Sequence, residues 1–440
     1  MSRKIFRILL VINLVCLSGL GLHAQDGADI TYSPYSVFGV GDIIKQGSAA
    51  NMSMGGVGVA TRNRRLINYL NPASITARDS LAFMMDIGLS SENKLFKQGN
   101  LKSASNSFNL SNLAFTVPIY KKSAFILGIT PYSNVSYRFS SNINDPGIIA
   151  HTGKIKSAAR GNGGLYSIFG GPAVTLWNRL SLGVQGIYYF GNIDKESAMT
   201  FQQSSYRNFS SGYILELNAF TGKFGIQYEQ PLPDNMSMVI GATYKPKSKL
   251  RGYVTDYKYS TMGERVDTLV HNVDTLSKNS SAPVLASEIG VGISLRGGEK
   301  WNVELNYLRS DWSNSEFGNT VGFANRSNPA FSPTVAQSFR LGFEIVPNRN
   351  DIRYYLKKCT YRGGLYFDNE YYKIAGHSIN AYGLTFGVTF PVFRYHNGIS
   401  IGVDLGRRGS TRDRMTRENY AKFVIGFNIS DIWFVKPTYN

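Results

Sequence analysis

The sequence predicts an all-β protein: a transmembrane antiparallel β-barrel of about fourteen strands with an N-terminal plug. Three observations predict this class. Apolar and polar residues alternate along most of the chain from about residue 80, the connections between the alternating stretches differ regularly in length, and the composition is unusual. The 440 residues include 27 Tyr, 26 Phe and 45 Gly, while only 17% are charged. Strands that face lipid on one side and a polar interior on the other have this composition.

The N-terminus has the layout of a secretory signal peptide. Arg3, Lys4 and Arg7 precede an apolar run over residues 8–22, and Ala24 supplies a small residue at the expected cleavage point. A membrane anchor is the alternative, but the run is short for a bilayer span of about 20 residues. Residues 1–24 are therefore predicted to direct secretion across the inner membrane of a Gram-negative cell, with the outer membrane as destination.

The strand prediction rests on period-two alternation. Leu384, Phe386 and Val388, for example, alternate with Thr385 and Gly387. The strand candidates are 80–90, 107–119, 123–139, 161–176, 179–192, 213–230, 236–258, 283–296, 300–312, 335–347, 359–372, 379–393, 397–407 and 419–429. Short and long connections alternate between them, as in outer-membrane barrels. The 348–358 and 373–378 connections break this alternation, so the count could differ by one hairpin.

Two segments lie outside the predicted barrel, which covers residues 80–429. An even number of strands places both ends of the barrel on the periplasmic side. Residues 25–79 are too polar to span lipid, and a plug, or hatch, folded into the barrel mouth would satisfy their backbone groups. Residues 430–440 are predicted to form a periplasmic C-terminal tail that could contact a protein partner.

A glycine-rich stretch and an Asn-Pro step distinguish the predicted hatch. Gly55, Gly56 and Gly58 permit close backbone approach. Pro72 disfavours the helical region for Asn71, whose side chain can bond to nearby backbone. With Ala73 these residues would form a rigid turn inside a narrow lumen, and an ordinary surface turn is the alternative.

The segment Met54–Ala60, followed by Asn68–Ser74, resembles the hatch of the FadL family of outer-membrane transporters. The resemblance is specific over residues 47–80 and architectural elsewhere. It implies a fourteen-stranded barrel that carries hydrophobic compounds such as fatty acids, with hatch-gated entry. The family also includes scaffolds in protein secretion, so the resemblance leaves open a second function, as a scaffold or subunit of an outer-membrane secretion or assembly complex.

Pro131 interrupts the third predicted strand. Proline lacks the N–H that a β-ladder needs, so it belongs at an edge, a bulge or a strand end. The third strand of the FadL family is kinked and opens the wall toward lipid. By this resemblance Pro131, Tyr132, Ser133 and Asn134 are predicted to bulge inward beside Asn71-Pro72, leaving a lateral opening toward strand two; a proline near a strand end is the alternative.

The polar strand faces place charged residues in the predicted lumen. These are Glu288, Glu304, Arg340, Glu344 and Asp404. The hatch carries three arginines, and since an unpaired buried charge is costly, they are predicted to pair with the acidic residues of the lumen. Arginines solvated at the periplasmic mouth are the alternative. The three are Arg62, Arg64 and Arg65.

The sequence contains no motif for catalysis, for a metal site or for a cofactor. It therefore predicts a protein that is not an enzyme. The formal charge of +18 suggests anionic neighbours, which in a secreted barrel are lipids or lipopolysaccharide rather than nucleic acid. A hydrophobic small molecule or lipid is the predicted cargo. Cys359 is expected to be an inert structural residue.

Overall fold

The computed structural model describes residues 33–79, 81–120, 122–262, 265–276, 282–323, 331–392, 397–412 and 415–432. The predicted signal peptide, residues 25–32 of the predicted hatch and residues 433–440 of the predicted tail lie outside this part of the chain. Among the described residues, no helix has the length and apolar character needed to cross a membrane.

Fourteen strands form the barrel. They are β2 (Ala82–Gln98), β3 (Leu101–Tyr120), β4 (Ser123–Ile143), β5 (Ile155–Leu176), β6 (Leu180–Phe201), β7 (Asn208–Leu232), β8 (Met236–Lys245), β13 (Ser287–Gly297), β14 (Trp301–Asp311), β16 (Val335–Ile345), β17 (Thr360–Ile374), β18 (His377–Pro391), β19 (Gly398–Arg408) and β20 (Arg417–Ile432).

Shorter elements lie between or inside them. The further strands are β1 (Asp42–Ile43), β9 (Ser248–Lys249), β10 (Arg251–Met262), β11 (Arg265–Thr275), β12 (Val284–Leu285) and β15 (Phe331–Pro333). The α-helices are α1 (Ala49–Met52), α2 (Pro146–Thr152) and α3 (Tyr355–Lys358), and 3-10 turns span Pro34–Val37 and Pro72–Ala77.

The barrel is closed. Each barrel strand pairs antiparallel with its neighbours in the order given, and β20 pairs with β2 from Ala82–Ile432 to Lys97–Arg417. The predicted class and the count of fourteen strands are confirmed. Alternation sorts the faces as expected: the Phe386 side chain is 54% exposed on the outer face, whereas Thr385 is 1% exposed and faces inward.

Tight turns mark the end of the barrel where β2 begins and β20 ends. Trp177-Asn178 and Asp234-Asn235 have positive φ at both residues, which is the backbone of the two-residue hairpin turn that matches strand twist. At the other end the strands run on far beyond the span a membrane requires. Strand β7 has 25 residues, against about 9–11 for a tilted transmembrane strand.

Several strand predictions need correction. Strands β2, β3, β5, β6 and β7 extend five to nine residues into the predicted long connections, so that only Gly99-Asn100 connects β2 to β3. The predicted strand 236–258 is split after Lys245, because Pro246 cannot donate to a ladder. After the break, β10 pairs with the far half of β7, and β11, which lies in the predicted loop 259–282, pairs with β10. At the C-terminus, Ser430–Ile432 belong to β20, so the strand extends three residues into the predicted tail.

Candidate functional site

Residues 33–79, here called the N-terminal segment, lie inside the barrel along a track of inward-facing glycines. A Cβ atom on any of these glycines would overlap atoms of the segment. At Gly225 it would meet Asn71 and Pro72, and at Gly364 the backbone of Gly55. The remaining track residues are Gly183, Gly241, Gly342, Gly387, Gly402 and Gly426. Because these glycines have no side chain, the backbone of the barrel wall can lie in direct contact with the N-terminal segment.

Replacing Gly364 by alanine is expected to displace the segment, because the new methyl group would overlap the backbone at Met54-Gly55. Overpacking of this kind costs about 1–3 kcal/mol. Limited trypsin digestion of the folded barrel should then cut faster within residues 60–79. Gly318→Ala is the control, since no atom lies within 4 Å of a Cβ there. Equal cleavage rates in the two variants would contradict the role of the track.

The residues of the predicted hatch motif make these contacts. Gly55 and Gly56 have φ of 70° and 75°, a conformation that favours glycine. The Asn71 side chain donates to the Val59 carbonyl at 2.7 Å and to the Ile226 carbonyl of β7 at 3.2 Å. Its oxygen accepts from the Ala73 N–H and caps the 3-10 turn that Pro72 begins. Asn71 thus ties two parts of the segment to each other and to the wall.

The predicted ion pairs between the hatch arginines and the acids of the lumen are wrong in their partners. Arg62 pairs with Glu229 at 3.1 Å, Arg65 with Glu299 at 3.2 Å, and Arg64 is exposed. Burial lowers the pKa of the Arg62 guanidinium, and Glu229 opposes that shift. Glu229 and Glu299 lie beside the tight turns, level with this part of the segment.

The acidic lumen residues have other partners. Glu304 accepts from the Ala60 N–H at 2.9 Å and from the Thr61 hydroxyl, Glu344 pairs with Arg362 at 2.7 Å, and Glu288 pairs with Lys245 at 3.2 Å. Asp404 accepts from the Tyr366 hydroxyl at 2.6 Å, and Arg340 donates to the Gly56 carbonyl at 3.0 Å. Neutral backbone groups and wall residues therefore satisfy most of these charges.

Strands β3 and β4 separate part-way up the wall. Their ladder ends at Leu113–Ile129, although β3 begins at Leu101 and β4 runs to Ile143. Beyond this point β4 pairs only with β5 among the barrel strands, with a shift in register between Pro131 and Ser133. We call the unpaired stretch between β3 and β4 the wall gap.

The N-terminal segment covers the β4 side of the wall gap. Strand β1 pairs with it in the register Asp42–Asn134 and Ile43–Ser133. The Ile44 N–H donates to the Tyr132 carbonyl, and the Gln46 amide donates to the Pro131 carbonyl at 2.8 Å. An unpaired strand edge at membrane depth needs such partners.

The predicted neighbour of Pro131 was wrong. Asn71-Pro72 lies against Gly183 and Gly225 on β6 and β7, and residues 42–46 lie at Pro131 instead. The physical reason is that Asp42 and Ile43 form strand β1, and with the Ile44 N–H they offer backbone hydrogen bonds to a strand edge. The 3-10 turn that begins at Pro72 cannot offer them.

A buried ion cluster anchors the other side of the segment, and sequence reasoning missed it. Arg408 contacts Asp42 at 2.8 Å, Glu370 at 3.0 Å and Glu418 at 3.7 Å. Glu418 also accepts from the Ser33 hydroxyl at 2.6 Å. Burial acts to raise the pKa of the Asp42 carboxyl, but Arg408, Lys94 and the Ser33 hydroxyl together hold that pKa below its ordinary value. We call Asp42, Glu370, Arg408 and Glu418 the Arg408 cluster.

Two cavities lie on either side of residues 43–45. The central cavity, of about 230 Å³, is lined by aromatic and aliphatic side chains, among them Tyr132, Phe169, Ile187 and Tyr189. Polar side chains also line it, among them Gln185, Lys223, Lys245, Glu288 and Arg340. The second cavity, of about 120 Å³, lies beside Pro131 and residues 109–111 at the wall gap. Ile43, Ile44 and Lys45 line both cavities and separate them.

Comparison with known proteins places the chain in a family. A family model described as BamG matches residues 1–440. The chain belongs to the BamG family. No curated protein matches this BamG family member.

Solved structures share its fold. The toluene transporter TbuX of Ralstonia pickettii has a TM-score of 0.58 and 18% identity, covering 87% of this chain and 97% of its own. A FadL homologue of Pseudomonas aeruginosa has a TM-score of 0.56 and 10% identity, covering 89% and 99%. The toluene transporter TodX of Pseudomonas putida has a TM-score of 0.55 and 14% identity, covering 91% and 100%. The BamG family member therefore has the barrel fold of FadL-type outer-membrane transporters.

Proposed function

We propose that this BamG family member is an outer-membrane channel for small hydrophobic compounds, fatty-acid-like in having an apolar body. Cargo enters the central cavity from outside the cell, passes residues 43–45 and leaves sideways into the bilayer through the wall gap. The observation that carries this proposal is the position of residues 43–45, which separate the central cavity from the cavity at the gap.

Energetics favours the sideways route. Moving apolar surface into periplasmic water costs about 25 cal/mol per Å², and an exit into the bilayer avoids this cost. A gap in a barrel wall, however, leaves backbone groups unpaired in lipid. Residues 42–46 supply those hydrogen bonds in the closed state, so the N-terminal segment acts as a hatch that must shift before cargo can leave.

The structural neighbours support a small apolar cargo, since two of them are named as toluene transporters. They are transporters rather than enzymes, in line with the proposal that this chain catalyses no reaction. The excess of basic residues fits an outer membrane rich in anionic lipid or lipopolysaccharide.

The proposal is tested by mass analysis of compounds retained by the purified barrel. A single class of hydrophobic compound, bound at about one molecule per barrel, is the expected result. A second preparation of the same chain, unfolded and refolded in detergent, is the control for compounds carried over from the membrane. A barrel that retains only bulk phospholipid would count against a cargo site.

A second candidate function is that of a scaffold in an outer-membrane protein secretion or assembly complex. Pairing of β1 with β4 and the Arg408 cluster favour it, because both hold the barrel shut. On this alternative a partner protein would copurify at fixed stoichiometry and the cavity would hold no cargo. Residues 430–440 remain a proposed contact for such a partner.

A further inference from the structure

We propose that the connection between β16 and β17 is an interfacial anchor that binds anionic phospholipid in the periplasmic leaflet of the outer membrane. Its apolar side chains enter the leaflet, and its basic side chains hold the lipid phosphates. Residues 346–359 form this segment, here called the β16–β17 connection. The anchor is independent of the cargo route, because it lies outside the barrel lumen and away from the wall gap.

The length of the β16–β17 connection distinguishes it from other connections at the same end of the barrel. Three residues each suffice at 177–179, 233–235 and 298–300, which join β5 to β6, β7 to β8 and β13 to β14. Short turns are the rule at the periplasmic end of such barrels. The additional residues at 346–359 are therefore more than closure of a hairpin requires.

Hydrogen bonds give the β16–β17 connection a defined fold. The Asp351 carboxylate accepts from the Arg353 N–H at 2.9 Å and from the Tyr354 N–H at 2.6 Å. The Asn348 N–H donates to the Lys357 carbonyl at 2.9 Å. These bonds bring the two ends of residues 348–357 together, so the side chains between them are presented from a fixed backbone.

Two tyrosine hydroxyls hold α3 against the lipid-facing end of the barrel wall. The Tyr361 hydroxyl donates to the Leu356 carbonyl at 2.9 Å, and the Tyr355 hydroxyl donates to the Pro391 carbonyl of β18 at 2.8 Å. Tyr361 lies on the outward face of β17, because its cross-strand partner on β16 is Ile345, an outward residue that is 47% exposed. The α3 helix therefore continues the lipid-facing surface at its periplasmic edge.

Large apolar and aromatic side chains of the connection are open to the surroundings. Ile352 is 96% exposed and Leu356 is 64% exposed, and at least half of Tyr354 and of Tyr355 is exposed. Contiguous exposed apolar surface beside charged residues marks a contact with a membrane or a protein. Lipid is the occupant that the position favours, because it already surrounds the adjoining wall, and tyrosine is enriched at the membrane–water interface.

The charge of the connection fits an anionic lipid. Four basic residues and one acid give it a net charge of +3 (4 − 1). Basic side chains on an amphipathic element strengthen membrane binding by attraction to anionic headgroups. Their long stems lie along apolar surface while the charged ends reach the headgroup level. The five residues are Arg349, Asp351, Arg353, Lys357 and Lys358.

Native mass spectrometry of the purified full-length barrel tests this inference, with tetraoleoyl cardiolipin and dioleoylphosphatidylcholine as probes. Cardiolipin should bind at least about tenfold more tightly, because each base near an anionic lipid surface raises affinity about fivefold. The triple variant Arg353→Gln, Lys357→Gln, Lys358→Gln should lose most of this preference. The matched control removes the same charge from exposed lysines at the other end of the barrel and should keep it. Its changes are Lys247→Gln, Lys249→Gln and Lys258→Gln.

A depth measurement keeps the test decisive if the triple variant fails to fold. A fluorophore attached to Ile352→Cys, with Cys359→Ser, should be quenched by nitroxide groups on the lipid chains in vesicles of equal parts dioleoylphosphatidylcholine and dioleoylphosphatidylglycerol. The same label at Asn314→Cys, an exposed site at the other end of the barrel, should not be quenched.

Three results would overturn the anchor. One is equal binding of the two lipids to the unaltered barrel, and another is an equal loss of preference in the two triple variants. The third is a label at position 352 that the lipid nitroxides leave unquenched. A periplasmic protein that copurifies through this connection, without any lipid preference, would replace phospholipid as the occupant and overturn the inference as well.

Discussion

A disulfide between cysteines placed at Ile43 and Ser133 is expected to abolish uptake of an apolar cargo. The two residues are Cα partners in the antiparallel pairing of β1 with β4, so their Cα atoms lie about 4.5–5.5 Å apart, within the range a disulfide spans. Oxidation locks the segment against the wall gap. Uptake should fall at least tenfold and return after reduction.

The control places a cysteine pair in the hydrogen-bonded part of the ladder between β3 and β4. Thr116 and Ile126 are Cα partners between β3 and β4, below the gap. A disulfide there should leave uptake unchanged. The buried thiol of Cys359 is replaced by serine in both variants so that no third cysteine interferes. If the variant with the oxidised disulfide between positions 43 and 133 takes up cargo at the full rate, sideways exit past residue 43 is excluded.

Changes in the Arg408 cluster are expected to have the largest effect on stability. Arg408→Gln leaves Asp42, Glu370 and Glu418 without their shared guanidinium, and breaking a buried ion pair in this way costs about 3–5 kcal/mol. Asp42→Asn is milder, because Arg408 keeps two wall carboxylates while the N-terminal segment loses its charge contact.

The two variants separate fold stability from attachment of the segment. Asp42→Asn should speed trypsin cleavage at residues 62–65 with little change in melting temperature, whereas Arg408→Gln should lower the melting temperature as well. Asp351→Asn is the control, since it removes an acid that pairs with Lys357 on an exposed connection. If Asp42→Asn is cleaved no faster than this control, the cluster does not hold the segment.

Period-two alternation of apolar and polar residues predicted most of the barrel strands. The predicted strands 379–393 and 397–407 match β18 and β19 within two residues, because the inward residues from Ala381 to Thr389 and from Ser400 to Gly406 are polar or small and the outward residues between them are apolar. The same pattern could not locate the break at Pro246, since apolar residues continue past it in β10. Alternation shows which residues are buried, but it does not show which strand is the partner. A strand can therefore change its partner, as the chain does after Pro246, without any change in the alternation.

The contacts of the site were harder to predict from the sequence, because they join residues that are far apart in the chain. Arg62 meets a glutamate 167 residues away, and charge alone does not say which of several lumen acids lies at the same height. Arg408 stood just beyond the predicted strand 397–407 and was not considered. The sequence does contain a signal for the glycine track. Gly183, Gly342, Gly387 and Gly402 all lie on the predicted inward faces of their strands, where the absence of a side chain leaves space for a segment packed inside the barrel.

The central claim is that cargo passes through this barrel and leaves through its wall. The most direct measurement compares uptake of a labelled hydrophobic compound by outer-membrane vesicles that contain the chain, the chain with the Ile43–Ser133 disulfide, or neither. Rapid uptake is expected only with the chain that lacks the disulfide, and the label should partition into the bilayer. Equal uptake in all three vesicle types, together with a protein partner bound at fixed stoichiometry, would contradict transport and favour the scaffold.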